Sequence, residues 1–561
     1  MSARPVSKDT AANVLDGKLT AGAREAERAL VASALRLGAR QVCGWSDAES
    51  ALTRGIRSRG MPRLTALREQ IRAGEDPLGS AFIQLRSAAD RRRVGATYTP
   101  RIVVEAMLAW AQSQPTPAQV VDPGTGSARF LLHAGAAFPA AHLIGVEIDP
   151  LAALIARGNL AAAGLAARSR VELGDFRSFQ LMRTGRTLFI GNPPYVRHHL
   201  IEPAWKDWLA HRWRDFGVKA SRLAGLHLHF FLATLINARP GDCGAFVTAA
   251  EWLDVNYGGA LRQSFLERLG GVGIVMVEPT VTTFPGAATT AAITLFRIGS
   301  HSNTVGVRCV RRVADLADLS GRAVPRAAFE AETRWSRLVR ATKSFGHKGM
   351  TARAAAHRRA QGLIELGELC RVHRGQATGA NAVWVVSGAD HIAGKLPDAL
   401  LVPTVTRARE LIAAGSVLTD VTRLRRVVDL PAQLEGLDVE TARVVKAFLR
   451  AARRRGAHRS YLARHRRPWW AVGLREPAPI LATYMARRPP VFTCNPGGAR
   501  HLNIAHGLYP RAPLTDAQLA LLVKYLSGSA GVTGGRTYSG GLIKFEPREM
   551  ERILIPRPDE R

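Results

Sequence analysis

Between about residues 95 and 300 the chain alternates short apolar stretches with segments of helical periodicity, and this alternation constrains the fold most. The strand-like stretches are AQVVDPG, HLIGVEIDP, RVELGDF, TLFIGNPPY and GAFVTAAEWL. Helical segments such as LAALIARGNLAAAG separate them. Strands that alternate with helices form mostly parallel sheets covered by helices on both faces. The pattern therefore predicts an α/β fold that binds ligands at the carboxyl ends of its strands.

An acidic residue follows each of three successive predicted strands. These residues are Asp122, Glu147 and Asp175, and Phe176 stands beside the last. A carboxylate at such a position can accept hydrogen bonds from an ammonium group, from ribose hydroxyls or from an adenine amine, and an aromatic ring can lie on the purine. S-adenosylmethionine carries all three groups, so we predict it as the cofactor. The alternative is that each acid caps a helix or loop.

The turn after the first of these strands is rich in glycine but departs from a dinucleotide fingerprint. Gly124 and Gly126 allow a tight turn and a close approach of ligand to backbone. Arg129 stands where the third glycine of the fingerprint belongs. The turn is thus predicted to bind the cofactor without binding a pyrophosphate.

The fourth strand runs into the tetrad Asn192, Pro193, Pro194 and Tyr195. Proline has a fixed φ and no N–H, so this loop is stiff and the Pro193 carbonyl is preset. The side-chain oxygen of Asn192 and that carbonyl can accept both hydrogens of an exocyclic amine, which frees the nitrogen lone pair. An amine prepared in this way could attack the methyl group of the predicted cofactor, with positioning and charge stabilisation as the main contributions and no covalent enzyme intermediate.

From about residue 95 to its end the chain resembles the N6-adenine DNA methyltransferases of restriction–modification systems, above all the TaqI and Eco57I types. GATYTP (95–100) resembles the first cofactor segment of that family, DPGTGSARF, GVEIDP and GDF resemble the next three, and GNPPY resembles the catalytic loop. AEWLDVNYGGALR and VTTFPGAATTAAITLF resemble later segments. The resemblance implies a Rossmann-like class I S-adenosylmethionine-dependent methyltransferase domain that acts as a site-specific DNA adenine methyltransferase.

The resemblance also implies roles for individual residues. Thr99 matches the position that holds the cofactor carboxylate, with Tyr98 beside it, and Asn192 adjoins the cofactor. The target amine is out of reach inside a duplex, so the adenine must be flipped out. Tyr195 and Phe284 are then expected on its two faces.

The charge of the chain indicates a polyanionic partner. The net charge is +33, and residues 301–561 hold 43 Lys and Arg against 21 Asp and Glu. VHRGQATGAN and KFEPREMERILIP in this half resemble the segments that open and close a target recognition domain. As a region, we predict that DNA is contacted by Arg453, Arg454, Arg455, Arg466, Arg467, Trp469 and Trp470.

These patterns predict four divisions of the chain. They are a helical N-terminal extension (1–92), the catalytic domain (93–300), a linker with helical connection (301–360) and a mixed α+β target recognition domain (361–561).

Two other functions share the tetrad. Methyltransferases that act on RNA or on a protein glutamine also carry it, although they lack a basic C-terminal domain. The chain could also be the methylase subunit of a larger restriction or phage-defence complex. Cytosine-C5 chemistry is excluded because none of the five cysteines follows a proline. The N-terminal region shows no nuclease-like cluster, so a fused nuclease is not predicted.

The remaining expectations concern setting and partners. The five cysteines form no C-x-x-C pair, which disfavours zinc and a disulfide framework, and no metal is predicted. The sequence shows no signal peptide and no apolar run long enough to cross a membrane. We expect a cytoplasmic, nucleoid-associated bacterial enzyme that acts on double-stranded DNA as a monomer. A cognate restriction endonuclease, if present, would be a separate protein.

Overall fold

The computed structural model contains two compact units, and the chain divides between them at about residue 345. The first unit contains the strand–helix alternation, and the second contains most of the basic C-terminal half. The structure describes residues 21–56, 64–85, 99–278, 281, 290–341, 362–386, 395–486, 488–529, 536–538 and 542–556. No helix in these ranges is both long enough and apolar enough for a membrane span.

In the described part of the first unit, nine strands form one sheet. They are β1 (Gln119–Pro123), β2 (His142–Glu147), β3 (Ser169–Leu173), β4 (Thr187–Gly191), β5 (Cys243–Ala249), β6 (Gly271–Val277), β7 (Ala291–Arg297), β8 (Thr304–Val310) and β9 (Arg322–Pro325). Their order is β3-β2-β1-β4-β5-β7-β6-β8-β9. The first five pair in parallel, and β7 is antiparallel to both its neighbours. The predicted, mostly parallel sheet is confirmed.

The direction of winding reverses between β1 and β4. The chain runs outward from β1 through β2 and β3, then returns to place β4 on the other side of β1. Such a reversal opens a crevice at the carboxyl ends of the two central strands, where α/β sheets bind ligands. Asp122 in β1 lies at this end of the sheet, and Gly191 ends β4 directly before the tetrad.

Helices cover both faces of the sheet. The helices are α1 (Ala21–Leu37), α2 (Asp47–Leu52), α3 (Leu64–Arg72), α4 (Pro77–Leu85), α5 (Arg101–Gln112), α6 (Arg129–Ala137), α7 (Pro150–Ala162), α8 (Pro203–Asp215), α9 (Leu226–Asn237), α10 (Gly259–Glu267), α11 (Arg326–Ala331) and α12 (Trp335–Arg340). Successive strand residues point to opposite faces. Val120 therefore joins the core with α5, α6 and α7, and Val121 joins the core with α8, α9 and α10.

The N-terminal helices belong to the same unit as the sheet. Leu30 and Leu37 of α1 pack in one core with Leu154 of α7. Glu49 and Arg157 form a fully buried ion pair, and Arg157 also donates to backbone carbonyls of residues 42–44. The boundary expected at residue 92 therefore does not separate two packed bodies. The extension is part of the first unit's core, because the apolar face of its helices is buried only by packing against the helices that cover the sheet.

Residues 301–341 differ from the expected linker. They contribute β8, β9, α11 and α12, which continue the sheet past β6. In TVGVRCV, Val305 and Val307 are buried in one core, and Val310 is buried in the core on the opposite face of the sheet. The strand signal was weak because the alternation is interrupted by Gly306 and by the partly exposed Arg308.

The second unit is a mixed α+β body, as predicted for residues 361–561. Its strands are β10 (Leu363–Glu365), β11 (Cys370–Arg374), β12 (Val385–Val386), β13 (Leu401–Val405), β14 (Arg426–Val428), β15 (Ile480–Thr483), β16 (Met485–Ala486), β17 (Phe492–Cys494), β18 (Arg500–His501), β19 (Ala505–Pro510), β20 (Arg536–Tyr538), β21 (Leu542–Lys544) and β22 (Leu554–Pro556). Its helices are α13 (Leu366–Leu369), α14 (Asn381–Trp384), α15 (Ala408–Ala414), α16 (Val439–Arg454), α17 (Tyr461–Arg464), α18 (Asp516–Ser529) and α19 (Pro547–Met550). Within the described ranges the strands form small, largely antiparallel sheets around separate apolar clusters.

Candidate active site

The glycine-rich turn after β1 lies across the end of β2. Gly124 and Gly126 have φ of 74° and 54°, the left-handed region that glycine adopts without strain. The amides of Gly124 and Thr125 donate to the carbonyl of Val146 at 2.8 and 3.0 Å. The turn is thereby tied to the neighbouring strand, and α6 begins directly after it at Arg129.

Asp122 is a buried carboxylate with one oxygen left for a ligand. Thr125 Oγ1 donates to Asp122 Oδ2 at 3.0 Å. Asp122 Oδ1 is buried and has no hydrogen-bond partner among the described residues. Burial raises the pKa of Asp122 to about 8, and the nearby charge of Glu147 adds to the shift. A buried acceptor without a donor is costly, so this oxygen fits a ligand group that carries hydrogens.

Glu147 ends β2 and accepts hydrogen bonds from backbone amides. Its Oε2 accepts from Gly126 N at 2.8 Å, and its Oε1 accepts from the amides of Ile148 and Asp149 at 2.8 and 3.0 Å. Burial nevertheless raises its pKa to about 7. The predicted pair of carboxylates at the ends of β1 and β2 is thus brought together around the glycine turn.

Asp175 and Phe176 were expected to be open to the adenine of the cofactor, but both already have partners within the protein. Asp175 Oδ1 caps the following turn by accepting from Arg177 N at 2.9 Å, and Arg177 Nε donates to both carboxylate oxygens. Phe176 is buried, with its ring 5.9 Å from that of Phe179 and 5.4 Å from that of Phe230. Both residues lie where β3 ends, but the carboxylate already has a cationic partner and the ring is covered.

The side chains of the tetrad contact residues from three other segments of the chain. Asn192 Nδ2 donates to Thr99 Oγ1 at 2.9 Å, so the predicted cofactor residue and the predicted catalytic residue touch. Tyr195 Oη donates to the carbonyl of Val247 in β5 at 3.2 Å, and burial raises its pKa. Pro194 Cδ lies 3.5 Å from the position a Cβ would take on Gly124. Tyr98 and Phe284 lie outside the described residues.

Sequence patterns missed several residues that shape this site. Gly191 carries no Cβ, and a Cβ there would overlap Asp122 Oδ1. Arg129 Nη1 donates to the carbonyl of Thr99 at 3.1 Å, and its guanidinium pairs with Asp76. The only available signal was Arg129 itself, which broke the glycine fingerprint. Asp76 gave none, because it stands in a helical region without a motif.

Two histidines of α9, His227 and His229, belong to the protein core. His227 and His229 are buried, and burial lowers the pKa of His227 to about 4 and that of His229 well below its usual value. The ring of His229 stacks on Trp208, with centroids 6.0 Å apart. Within the described residues, no group of three or more His, Cys, Asp or Glu side chains could hold a metal ion.

The arginines predicted to contact DNA differ in their exposure and in their bonds to the second unit. Arg453, Arg454 and Arg467 have exposed side chains, the first two in the last turn of α16. Arg455 is exposed as well, and Arg466 is half-buried. Arg455, Arg466 and Arg467 all donate to backbone carbonyls of their own unit.

Trp469 and Trp470 also serve the second unit itself. Trp469 packs against Trp384 with ring centroids 6.1 Å apart, and Trp470 Nε1 donates to the carbonyl of Pro431 at 3.2 Å. Both rings are half-buried. Arg453, Arg454, Arg455 and Arg467 are the members of the predicted set that are open to solvent.

Comparisons with known proteins place this site in a family. A model described as N-6 DNA Methylase matches residues 75–296, and one described as Type II methyltransferase M.Eco57I, C-terminal domain, matches residues 347–561. Type II methyltransferase M.XamI of Xanthomonas campestris pv. amaranthicola is 52% identical over 466 residues, which are 83% of this chain and 85% of that protein. The chain belongs to the N6-adenine DNA methyltransferases of restriction–modification systems.

Two further comparisons are at lower identity. Type II methyltransferase M.AccI of Acinetobacter calcoaceticus is 20% identical, over 65% of this chain and 68% of that protein. The structure of the type IIL restriction-modification enzyme MmeI in complex with DNA shares the fold, with a TM-score of 0.52 and 14% identity over 88% of this chain and 71% of that chain. The predicted class I methyltransferase fold and DNA adenine methyltransferase activity are confirmed.

Proposed function

We propose that this methyltransferase uses S-adenosylmethionine and acts on an adenine flipped out of double-stranded DNA. The supporting observation is that Asn192 reaches Thr99 at the reversal of the sheet, beside the buried, half-satisfied carboxylate of Asp122. Acceptors for an amine and a site for a cationic ligand thus lie at the same crevice.

The residues present fit the cofactor. Asp122 Oδ1 would accept from its ammonium group, and Glu147 from its ribose hydroxyls. A Cβ on Gly126 would meet no atom within 4 Å, so that turn leaves open space for a ligand. Thr99 and Tyr98 would hold its carboxylate. S-adenosylmethionine, when bound, supplies an electrophilic sulfonium methyl group.

At the adenine end of the cofactor, Asp175 would act together with Arg177, because its oxygens already accept from that guanidinium. Phe176 and Phe230 would form an apolar wall for the purine. We therefore assign this end of the pocket to shape and apolar contact more than to one carboxylate–amine bond.

The tetrad would prepare the target amine. Asn192 Oδ1 and the Pro193 carbonyl would accept its two hydrogens, and Pro194 would keep the loop stiff. Tyr195 and Phe284 would stack on the flipped base, which offsets part of the cost of unstacking. Preset acceptors need no reorganisation during the reaction, which is the usual source of such rate enhancement.

The second unit would select the DNA sequence, with Arg453, Arg454 and Arg467 as candidate contacts to phosphates. We further propose that the enzyme acts as a monomer and that any cognate restriction endonuclease is a separate chain. A role as the methylase subunit of a larger complex is the alternative to this arrangement.

The test is transfer of a labelled methyl group from S-adenosylmethionine to duplex DNA, followed by nucleoside analysis and base-resolved mapping. We expect N6-methyladenine in one short motif. Asn192→Ala should lower the rate by at least ~10²-fold, the scale for loss of one preset charge-stabilising group. Cofactor affinity, measured by calorimetry, should stay within about threefold because Asn192 is assigned to the target amine.

Asn303→Ala serves as the control, since Asn303 is exposed and precedes β8. Loss of cofactor binding in Asn192→Ala would overturn the role given to Asn192. Methyl groups found on RNA or on protein glutamine, with DNA unmodified, would overturn the proposed substrate.

A further inference from the structure

Asp76 is a buried carboxylate in the N-terminal extension, directly before α4. Its Oδ1 accepts from the Gly79 amide at 2.8 Å, as expected of a residue that caps a helix. Capping carboxylates are ordinarily solvated, yet only 5% of Asp76 is exposed. Burying a charge is costly unless it is paired and hydrogen-bonded, so the cap alone does not account for this position.

The other bonds of Asp76 reach the cofactor turn. Ser127 Oγ donates to Asp76 Oδ2, and Asn159 Nδ2 of α7 donates to Oδ1 at 3.1 Å. Asn159 Nδ2 also donates to the carbonyl of Ser127 at 2.9 Å. Ser127 is therefore held on both its side chain and its backbone.

The residue after Ser127 has an unusual, left-handed backbone conformation. Ala128 has φ 68°, which is strained for a residue with a Cβ, and α6 begins directly after it. Strained backbone persists where its surroundings over-determine it. The bonds that Asp76 and Asn159 make to Ser127 hold the turn in this conformation.

A second path leads from Asp76 to the tetrad. Arg129 Nη2 lies 3.6 Å from Asp76 Oδ2, and Arg129 Nη1 donates to the Thr99 carbonyl at 3.1 Å. Thr99 Oγ1 in turn accepts from Asn192 Nδ2 at 2.9 Å. Because the amide nitrogen of Asn192 is engaged by Thr99, the orientation of its Oδ1 follows from where Thr99 is held.

We propose that Asp76 is a positioning residue that sets both the cofactor turn, through Ser127, and the orientation of the Asn192 amide, through Arg129 and Thr99. This inference rests on the proposed function. It gives the N-terminal helices a part in catalysis, although no residue of theirs is assigned to touch substrate or cofactor.

The chain offers a matched control. Glu49 is also buried, also lies in the N-terminal extension, and also bonds to α7, through Arg157. Its contacts lead to the extension and β3, away from the cofactor turn. Asp76→Asn and Glu49→Gln both replace a buried carboxylate by an amide of the same size.

The experiment measures thermal stability, cofactor dissociation constant and kcat for both variants with duplex DNA. We expect Asp76→Asn to weaken cofactor binding and to lower kcat about 10- to 100-fold, since small misplacements of reacting groups cost on that order. Glu49→Gln should lower the melting temperature but leave both constants within about twofold when measured below its transition. Equal kinetic effects in the two variants would mean that Asp76, like Glu49, only attaches the N-terminal extension to the rest of the unit. That result would overturn the proposal.

Two smaller changes cover the case in which Asp76→Asn does not fold. Ser127→Ala should mainly weaken cofactor binding, and Arg129→Gln should lower kcat and, because Arg129 holds Thr99, also weaken cofactor binding. If Asp76 acts through Arg129, the Asp76→Asn/Arg129→Gln double variant should lose little more kcat than the worse single variant. Wild-type constants for Ser127→Ala and Arg129→Gln would contradict the inference. Failure of the wild-type enzyme to methylate adenine would instead overturn the proposed function.

Discussion

At the residue scale, Asp122 and Glu147 lie at the ends of adjacent strands in one buried region. Both receive hydrogen bonds that favour the charged form, from Thr125 and from three backbone amides respectively. Burial outweighs those bonds and raises both pKa values, to about 8 and about 7. Near neutral pH the free protein therefore holds protons on this pair.

A proton-linked cofactor affinity follows. A ligand whose hydrogens bond to ionised carboxylates lowers their pKa values, so binding releases the protons held by the free protein. Affinity for S-adenosylmethionine should thus increase as the pH rises from about 6 to about 8, until the α-ammonium group of the ligand itself, with an ordinary pKa of about 8, loses its proton. Calorimetry in buffers of different ionisation enthalpy measures the protons released.

Asp122→Asn provides the comparison for this prediction. It removes the carboxylate of higher pKa, so the remaining increase should be confined to the range around the pKa of Glu147. An affinity that does not change with pH in the wild-type enzyme, with no proton release, would contradict the ionised-carboxylate interpretation.

At the element scale, the site depends on how closely β4 approaches β1. The end of β4 lies beside the Asp122 side chain, and Gly191 leaves room for the carboxylate. A side chain at position 191 would push the tetrad away from the carboxylate of Asp122. Gly191 therefore shapes the site by leaving space, without a side chain of its own.

Gly191→Ala should therefore impair the site more than its size suggests. Its Cβ would overlap Asp122 Oδ1, so the carboxylate or the strand end must move. We expect cofactor affinity to fall by about 10-fold or more, since one misplaced charged hydrogen bond costs roughly 1.5–3 kcal/mol. Gly436→Ala is the control, because a Cβ there meets no atom within 4 Å. Unchanged affinity in Gly191→Ala would show that the strand end yields without cost.

At the scale of the whole molecule, charge is distributed unevenly along the chain. The net charge is +33, and residues 301–561 account for +22 of it. Some of the arginines form hydrogen bonds within the fold, since Arg455 and Arg466 donate to carbonyls of their own unit. Arg453 and Arg454, exposed at the end of α16, remain available to a polyanion.

The double variant Arg453→Gln/Arg454→Gln should bind DNA more weakly, and by a similar factor on all sequences. Each lost phosphate contact should reduce the slope of log affinity against log salt by about 0.9. Fluorescence anisotropy across a salt series gives this slope. Arg466→Gln should instead lower the melting temperature, because it removes buried bonds to the backbone. An unchanged slope in the double variant would remove α16 from the DNA-binding surface.

The sequence by itself determined the parallel sheet, the two carboxylates beside the glycine turn, the tetrad and the chemistry they support. These features are local, since strand periodicity, glycine at a turn and proline after asparagine act over a few residues. Only the tertiary structure decided that β8 and β9 extend the sheet, that Arg177 donates hydrogen bonds to Asp175, and that Asp76 contacts the turn after β1. These are contacts between distant segments, and their geometry depends on how whole elements pack, which no spacing along the chain records.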